Sequence, residues 1–139
     1  MKLILEIITP TEVVLNEEVD EITIPSVDGE ISVLPNHVGL FTKIIPGEMV
    51  IRKGNKTDFF AIMGGFLEVN ENHVNILADH AINADNIEIA KVEEAKERAQ
   101  KAMKERKTEE DFRVAQTELG KTLLQLKVAR RRKASRVQR

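Results

Sequence analysis

The sequence has no cysteine, no tryptophan and no tyrosine in its 139 residues. Without cysteine, no disulfide staples the fold and no thiolate serves as nucleophile or soft metal ligand. Phenylalanine is the only aromatic residue, five in all, so a surface that stacks successive nucleic-acid bases has few platforms. Long apolar runs are missing as well, and no short apolar stretch follows a basic start. Neither a membrane span nor a secretory signal is expected, and the reading is of a soluble, intracellular chain. The histidines are His37, His73 and His80, none in helical i, i+4 spacing with another and none in an HExxH pattern. Ser26 and Ser32 lie outside any GxSxG elbow. No catalytic or metal-binding residue is therefore expected.

What is present is divided. The formal charge of the whole chain is -2, yet residues 1–90 carry five basic and fifteen acidic residues, whereas residues 91–139 carry sixteen basic and eight acidic. Such asymmetry points to two units with different partners.

The first part has strand chemistry. KLILEIIT is apolar and β-branched, and DEITI sets Ile22 and Ile24 on one face with Glu21 and Thr23 on the other. Similar short runs follow at EISVL, KII, EMVIR, TDFFAIM, FLEV and HVNIL, separated by DG, PNH, PG, KGNK, GG and NEN. Many short strands with tight turns, and no helix long enough for a parallel crossover, predict an antiparallel β-sandwich or barrel. The period then changes after Asn86. Ile89, Val92, Ala95, Ala99, Ala102 and Met103 recur at three and four, which predicts an amphipathic helix. Thr108 followed by Glu109, Glu110 and Asp111 reads as an N-cap and acidic first turn. The second helix it opens has an apolar seam of Phe112, Ala115, Leu119, Leu123 and Leu126. The fold class is therefore α+β, an N-terminal β-sandwich over residues 1–85 and a C-terminal antiparallel helical hairpin over 86–139. The first helix has an alanine-rich seam, and Gly120 costs its helix about 1 kcal/mol relative to alanine, so the hairpin is expected to dock weakly.

Two motifs remain. In GGFLEVNENHVNILAD, Gly64 and Gly65 join one strand to another rather than a strand to a helix, and no lysine follows to reach a phosphate. A bulge or close backbone approach is expected there. The tail from Lys127 holds seven basic residues and no acidic one. It reads as a solvated helix end, as a strip for an acidic protein surface, or as an adaptor helix for nucleic acid.

The order GEISVLPNHVGL, GGFLEV and HVNILAD, followed by an alanine-rich charged hairpin, resembles the ε subunit of bacterial F-type ATP synthase over essentially the whole chain. The resemblance implies a non-catalytic rotor subunit with a sandwich of about ten strands joining the γ subunit to the c-subunit ring, peripheral to the cytoplasmic face of the membrane. It places Glu30, Pro35, Asn36, His37 and Val38 toward γ and the c ring. It also implies a brake. The hairpin opens along γ into the head of α and β subunits, where Lys127, Arg130, Arg131, Arg132, Lys133 and Arg136 meet acidic residues and stop hydrolysis. No nucleic-acid partner and no bound cofactor are implied.

Some members of that family bind regulatory ATP through Ile/Leu-Asp-x-x-Arg-Ala at the start of the first helix. Here the stretch is Ile87, Glu88, Ile89, Ala90, Lys91, Val92. The charges are kept, but glutamate is longer by a methylene and lysine lacks the guanidinium fork. Glu88, Lys91, Arg98 and Lys121 remain as the candidate contacts of a weak ATP site, with Gln125 neutral where such members carry another arginine.

Overall fold

A computed structural model describes the backbone of residues 1–105 and 108–137, with side chains through Lys133. Ten strands come first: β1 (Leu3–Ile8), β2 (Val13–Val19), β3 (Glu21–Ser26), β4 (Gly29–Val33), β5 (Leu40–Ile44), β6 (Gly47–Lys53), β7 (Lys56–Ile62), β8 (Gly65–Asn70), β9 (His73–Ala78) and β10 (Ala81–Asn83). A short 3-10 turn (Ala84–Asn86) leads into α1 (Ile89–Glu105) and α2 (Glu109–Val137). The chain divides into two compact units, Met1–Asn83 and Ala84–Arg139.

In the first unit the sheet order is β10-β7-β6-β3-β5-β8-β9-β1-β2, with β4 paired to β3 off this path. The ladders are antiparallel except that β1 runs parallel to β9, Ile4 facing His73 through Ile8 facing Leu77. This parallel ladder brings the first strand of the chain to one of the last, a pairing that a row of hairpins alone does not supply. Alternation fixes the register. Leu3, Leu5 and Ile7 of β1 point inward, as do Ile22 and Ile24 of β3 and Val74 and Ile76 of β9. A slip of one residue would turn each of these rows to the other face.

The core cluster is built almost wholly from Leu, Ile, Val, Met and Phe, with Ala78 its one small member. Each large side chain contributes about 1.5–3 kcal/mol on full burial. Close packing of branched side chains resists compression and transmits strain. The strand runs read from the sequence are all present. Two strands were not legible there: β2, whose VVLNEEV is half polar, and the three-residue β10.

The second unit is the hairpin. Thr108 caps α2 as expected: its Oγ1 accepts the Asp111 N–H at 3.0 Å, and the first turn holds Glu109, Glu110 and Asp111. Among the described residues of the two helices, those buried are Ala99, Ala115, Thr122, Leu126, Val128 and Ala129. The buried row of α2 thus passes through Thr122, while Leu123 is exposed. The Thr122 hydroxyl donates to the Leu119 carbonyl at 2.9 Å, which satisfies it within its own helix.

Candidate functional site

The glycine pair is a strand junction. Gly65 opens β8 and sits between β5 and β9, in register with Ile44 on one side and Ala78 on the other. Its φ is +122°, and a Cβ there would lie 2.0 Å from the Leu77 carbonyl oxygen. Only glycine lets β9 approach this closely. No helix N-terminus follows the pair, so it has no phosphate-cradle geometry.

The motif residues expected toward γ and the c ring lie at the two ends of β4. Glu30 is exposed next to the β3–β4 turn, in register with Pro25. Pro35, Asn36, His37 and Val38 follow the other end, so the five are not one cluster along the strand. The turn is held tightly: the His37 N–H donates to the Leu34 carbonyl at 3.2 Å, and His37 Nδ1 lies 2.7 Å from the Val38 oxygen. Asn36 takes a left-handed φ of 68°, and its N–H donates to Asn72 Oδ1 at 2.6 Å, tying this loop to the β8–β9 turn. That frame presents Val38, 78% exposed, with Leu34 also exposed.

A surface that the sequence did not reveal lies on the same unit. On the outer face of β5, β8, β9 and β1, Phe41 and Phe66 stack with ring centroids 5.6 Å apart and planes 16° from parallel. Phe41 is 66% exposed, Phe66 45% and Leu77 52%. The register carries Phe66 onto Leu77 and Leu77 onto Ile8, forming an apolar row across three strands. Glu6, Glu68 and Asn75 line the same shallow cavity of about 250 Å³. The signal was available in the sequence: two of only five phenylalanines occupy the face of alternating strands where polar residues belong.

The basic strip is partly engaged within the hairpin. Arg130 Nη2 donates to Glu93 Oε1 at 2.8 Å, and Arg132 Nε donates to Asp85 Oδ1 at 3.1 Å. Lys127, Arg131 and Lys133 are exposed. The side chain of Arg136 lies outside the described residues.

Of the four ATP candidates, Glu88 and Lys91 pair with each other at 3.1 Å. Arg98 lines a cavity of about 550 Å³ between α1 and α2, whose wall also includes Glu105, Asp111 and Glu118. Glu88, Lys91 and Lys121 do not line it. The three carboxylates oppose a triphosphate there.

Among the described residues no group of three or more His, Asp or Glu side chains is placed to hold a metal. Asp20 is held below the usual carboxylate range, first by the Gly54 N–H that it accepts and then by Lys2 at 2.7 Å. It is a clamp between strand ends.

The family described as "ATP synthase, Delta/Epsilon chain, beta-sandwich domain" matches residues 2–84, and its partner "ATP synthase, Delta/Epsilon chain, long alpha-helix domain" matches 85–130. The chain belongs to the ATP synthase delta/epsilon family. It is similar to the ATP synthase epsilon chain of Herpetosiphon aurantiacus, 42% identical over 133 residues, covering 96% of this chain and 98% of that one. The epsilon chain of Chloroflexus aggregans is 39% identical over 138 residues, covering 99% of each. A chain in the cryo-EM structure of the Euglena gracilis mitochondrial ATP synthase superposes with a TM-score of 0.71 at 29% identity, covering 86% of this chain and 76% of that one. A chain of the Tetrahymena thermophila mitochondrial central stalk and c-ring structure shares the fold, with a TM-score of 0.60 at 18% identity over 93% of this chain and 97% of that one. Members of the delta/epsilon family are non-catalytic accessory subunits, in keeping with the sandwich and hairpin described above.

Proposed function

We propose that this chain is a central-stalk subunit that joins γ to the c-subunit ring during ion-driven ATP synthesis, and whose hairpin brakes ATP hydrolysis in the head formed by α and β. The observation that carries the reading is the apolar row of Phe41, Phe66 and Leu77 on the outer face of a closely packed sheet. An exposed stacked aromatic pair rimmed by polar groups suits a protein partner. A stiff body behind it passes torque on instead of storing it as strain. Glu30 and the Pro35–Val38 loop supply the remaining contacts to γ and the c ring, and the subunit sits peripherally on the cytoplasmic face of the membrane through them.

The hairpin supports the braking role through Lys127, Arg130, Arg131, Arg132, Lys133 and Arg136, which would meet acidic residues of a catalytic subunit once the helices open. Regulatory ATP at Glu88, Lys91, Arg98 and Lys121 has less support, because Glu88 and Lys91 pair with each other and the cavity that Arg98 lines is shared with Glu105, Asp111 and Glu118.

The test is reconstitution of the α, β, γ and c-ring complex with three forms of the chain. Removing residues from Asp111 onward should raise ATP hydrolysis and leave assembly intact. Replacing Phe41→Ser and Phe66→Ser together should weaken retention in the complex. Unchanged hydrolysis by the truncated form refutes the brake, and undiminished retention of the double variant refutes the apolar row.

A further inference from the structure

We propose that Asp85 and Glu93 form an internal latch that holds the hairpin shut by occupying two of its own arginines. This rests on the braking role proposed above and names the residues that set its strength. The two helices are joined by the chain between Glu105 and Glu109, so they part at the opposite end. That end is where the described residues place two ion pairs between α2 and the chain at the start of α1. Arg132, near the C-terminus of α2, meets Asp85 in the 3-10 turn before α1, and Arg130 meets Glu93 in the second turn of α1.

The two pairs differ in character. The Arg132 side chain is 12% exposed and Asp85 34%, whereas Arg130 and Glu93 are 60% and 51% exposed. The Asp85 pair is thus the shielded one and resists salt, while the Glu93 pair is screened readily. Both acids are local substitutes for an external acidic surface. An acidic partner must displace Asp85 and Glu93 before it can engage Arg132 and Arg130, so the latch and the brake compete for the same cations. The linkage is direct: whatever weakens the latch raises the fraction of hairpins able to bind the partner.

The experiment exploits the absence of native cysteine. Spin labels at Ala90→Cys and Lys127→Cys, both exposed positions, report separation of the helices by pulsed electron-electron distance measurement on the full chain. Asp85→Asn combined with Glu93→Gln should raise the ratio of open to closed hairpins about three- to tenfold at low salt, with Asp85→Asn accounting for the larger share. The charge-swapped pair Asp85→Arg with Arg132→Asp should restore the short distance, which a variant that had merely lost its fold would not do. In unlabelled complex, the double neutral variant should also hydrolyse ATP more slowly than the parent. An unchanged distance distribution overturns the latch. Opening with unchanged hydrolysis upholds the latch and overturns the braking role it was meant to control.

Discussion

Gly65→Ala should separate backbone strain from close approach. At Gly65 a Cβ would lie 2.0 Å from the Leu77 carbonyl oxygen, 2.8 Å from Ala78 Cα and 2.9 Å from the Leu77 carbonyl carbon. All three are backbone atoms, so no side chain can rotate away to make room. Gly29 is the control: its φ of +112° is close to the +122° of Gly65, but nothing lies within 4 Å of its added Cβ. Both substitutions force an L-residue into a region where it costs about 1–3 kcal/mol. Only Gly65→Ala must also push β9 away from β8, adding about 1–3 kcal/mol of overpacking and loosened ladder bonds. The difference between the two variants is therefore about 2 kcal/mol, or about 8–16 °C in melting temperature for a unit of this size. Scanning calorimetry of both full-length variants measures it. If Gly65→Ala melts within 2–3 °C of Gly29→Ala, roughly the shift of half a kcal/mol, close approach is not why glycine stands there.

Two further predictions concern the clamp and the cap. Asp20 has its folded-state pKa lowered by the Gly54 N–H and Lys2, so it stabilises the fold above its unfolded value, near 3.9, and that stabilisation is lost as pH falls through the folded value. Thermal melts from neutral pH down to about pH 2.5 should show the parent losing stability below about pH 4 more steeply than Asp20→Asn, and parallel profiles would count against the clamp. Thr108→Ala removes the acceptor of the Asp111 N–H and should destabilise the start of α2 by about 0.5–2 kcal/mol, visible as faster amide exchange at Asp111; unchanged exchange would mean the cap contributes nothing.

The sequence was readable where local chemistry and tertiary environment agree. β3 alternates cleanly because one face is core, and Thr108 declares α2 because an N-cap acts within one turn. The glycine pair was read as structural because Phe66, Leu67, Glu68 and Val69 after it are strand-like. It was otherwise with β2: its Asn16, Glu17 and Glu18 break the apolar alternation, and it is a strand because β1 supplies a partner. The same cause hides the β1–β9 ladder, since pairing across some seventy residues leaves no local trace. The seam of α2 was misplaced at one turn, where Thr122 takes the buried position and Leu123 the exposed one. A hydroxyl that bonds within its own helix can be buried at little cost, which apolar periodicity alone does not anticipate.

The site divides along the same line. The Pro35–Val38 loop was marked by its residues, whereas Phe41 and Phe66 were marked only singly, because two strands far apart in sequence must be in register before they meet. The basic strip was plain as composition, yet its state depends on acids 37 and 47 residues away.

On the proposed function, that dependence bears on how one chain would meet two mechanical demands. A coupling body should be stiff, and its core is built from branched side chains whose burial sums far above the cost of any single contact. A switch must be marginal, because a partner shifts an equilibrium only by the difference in its affinity for the two states. Besides Leu126 and Val128, the buried residues described in the helices are three alanines and a threonine, so most of them contribute little apolar burial and two ion pairs can tip the balance. On the proposed latch, the alanines leave the hairpin openable, and Asp85 and Glu93 favour its reclosing. Replacing the latch by apolar packing would hold the helices together but remove the competition for Arg130 and Arg132, leaving both cations open to a partner whether the hairpin is shut or not. The ion pairs tie closure of the hairpin to concealment of its cations in a way that leucine could not.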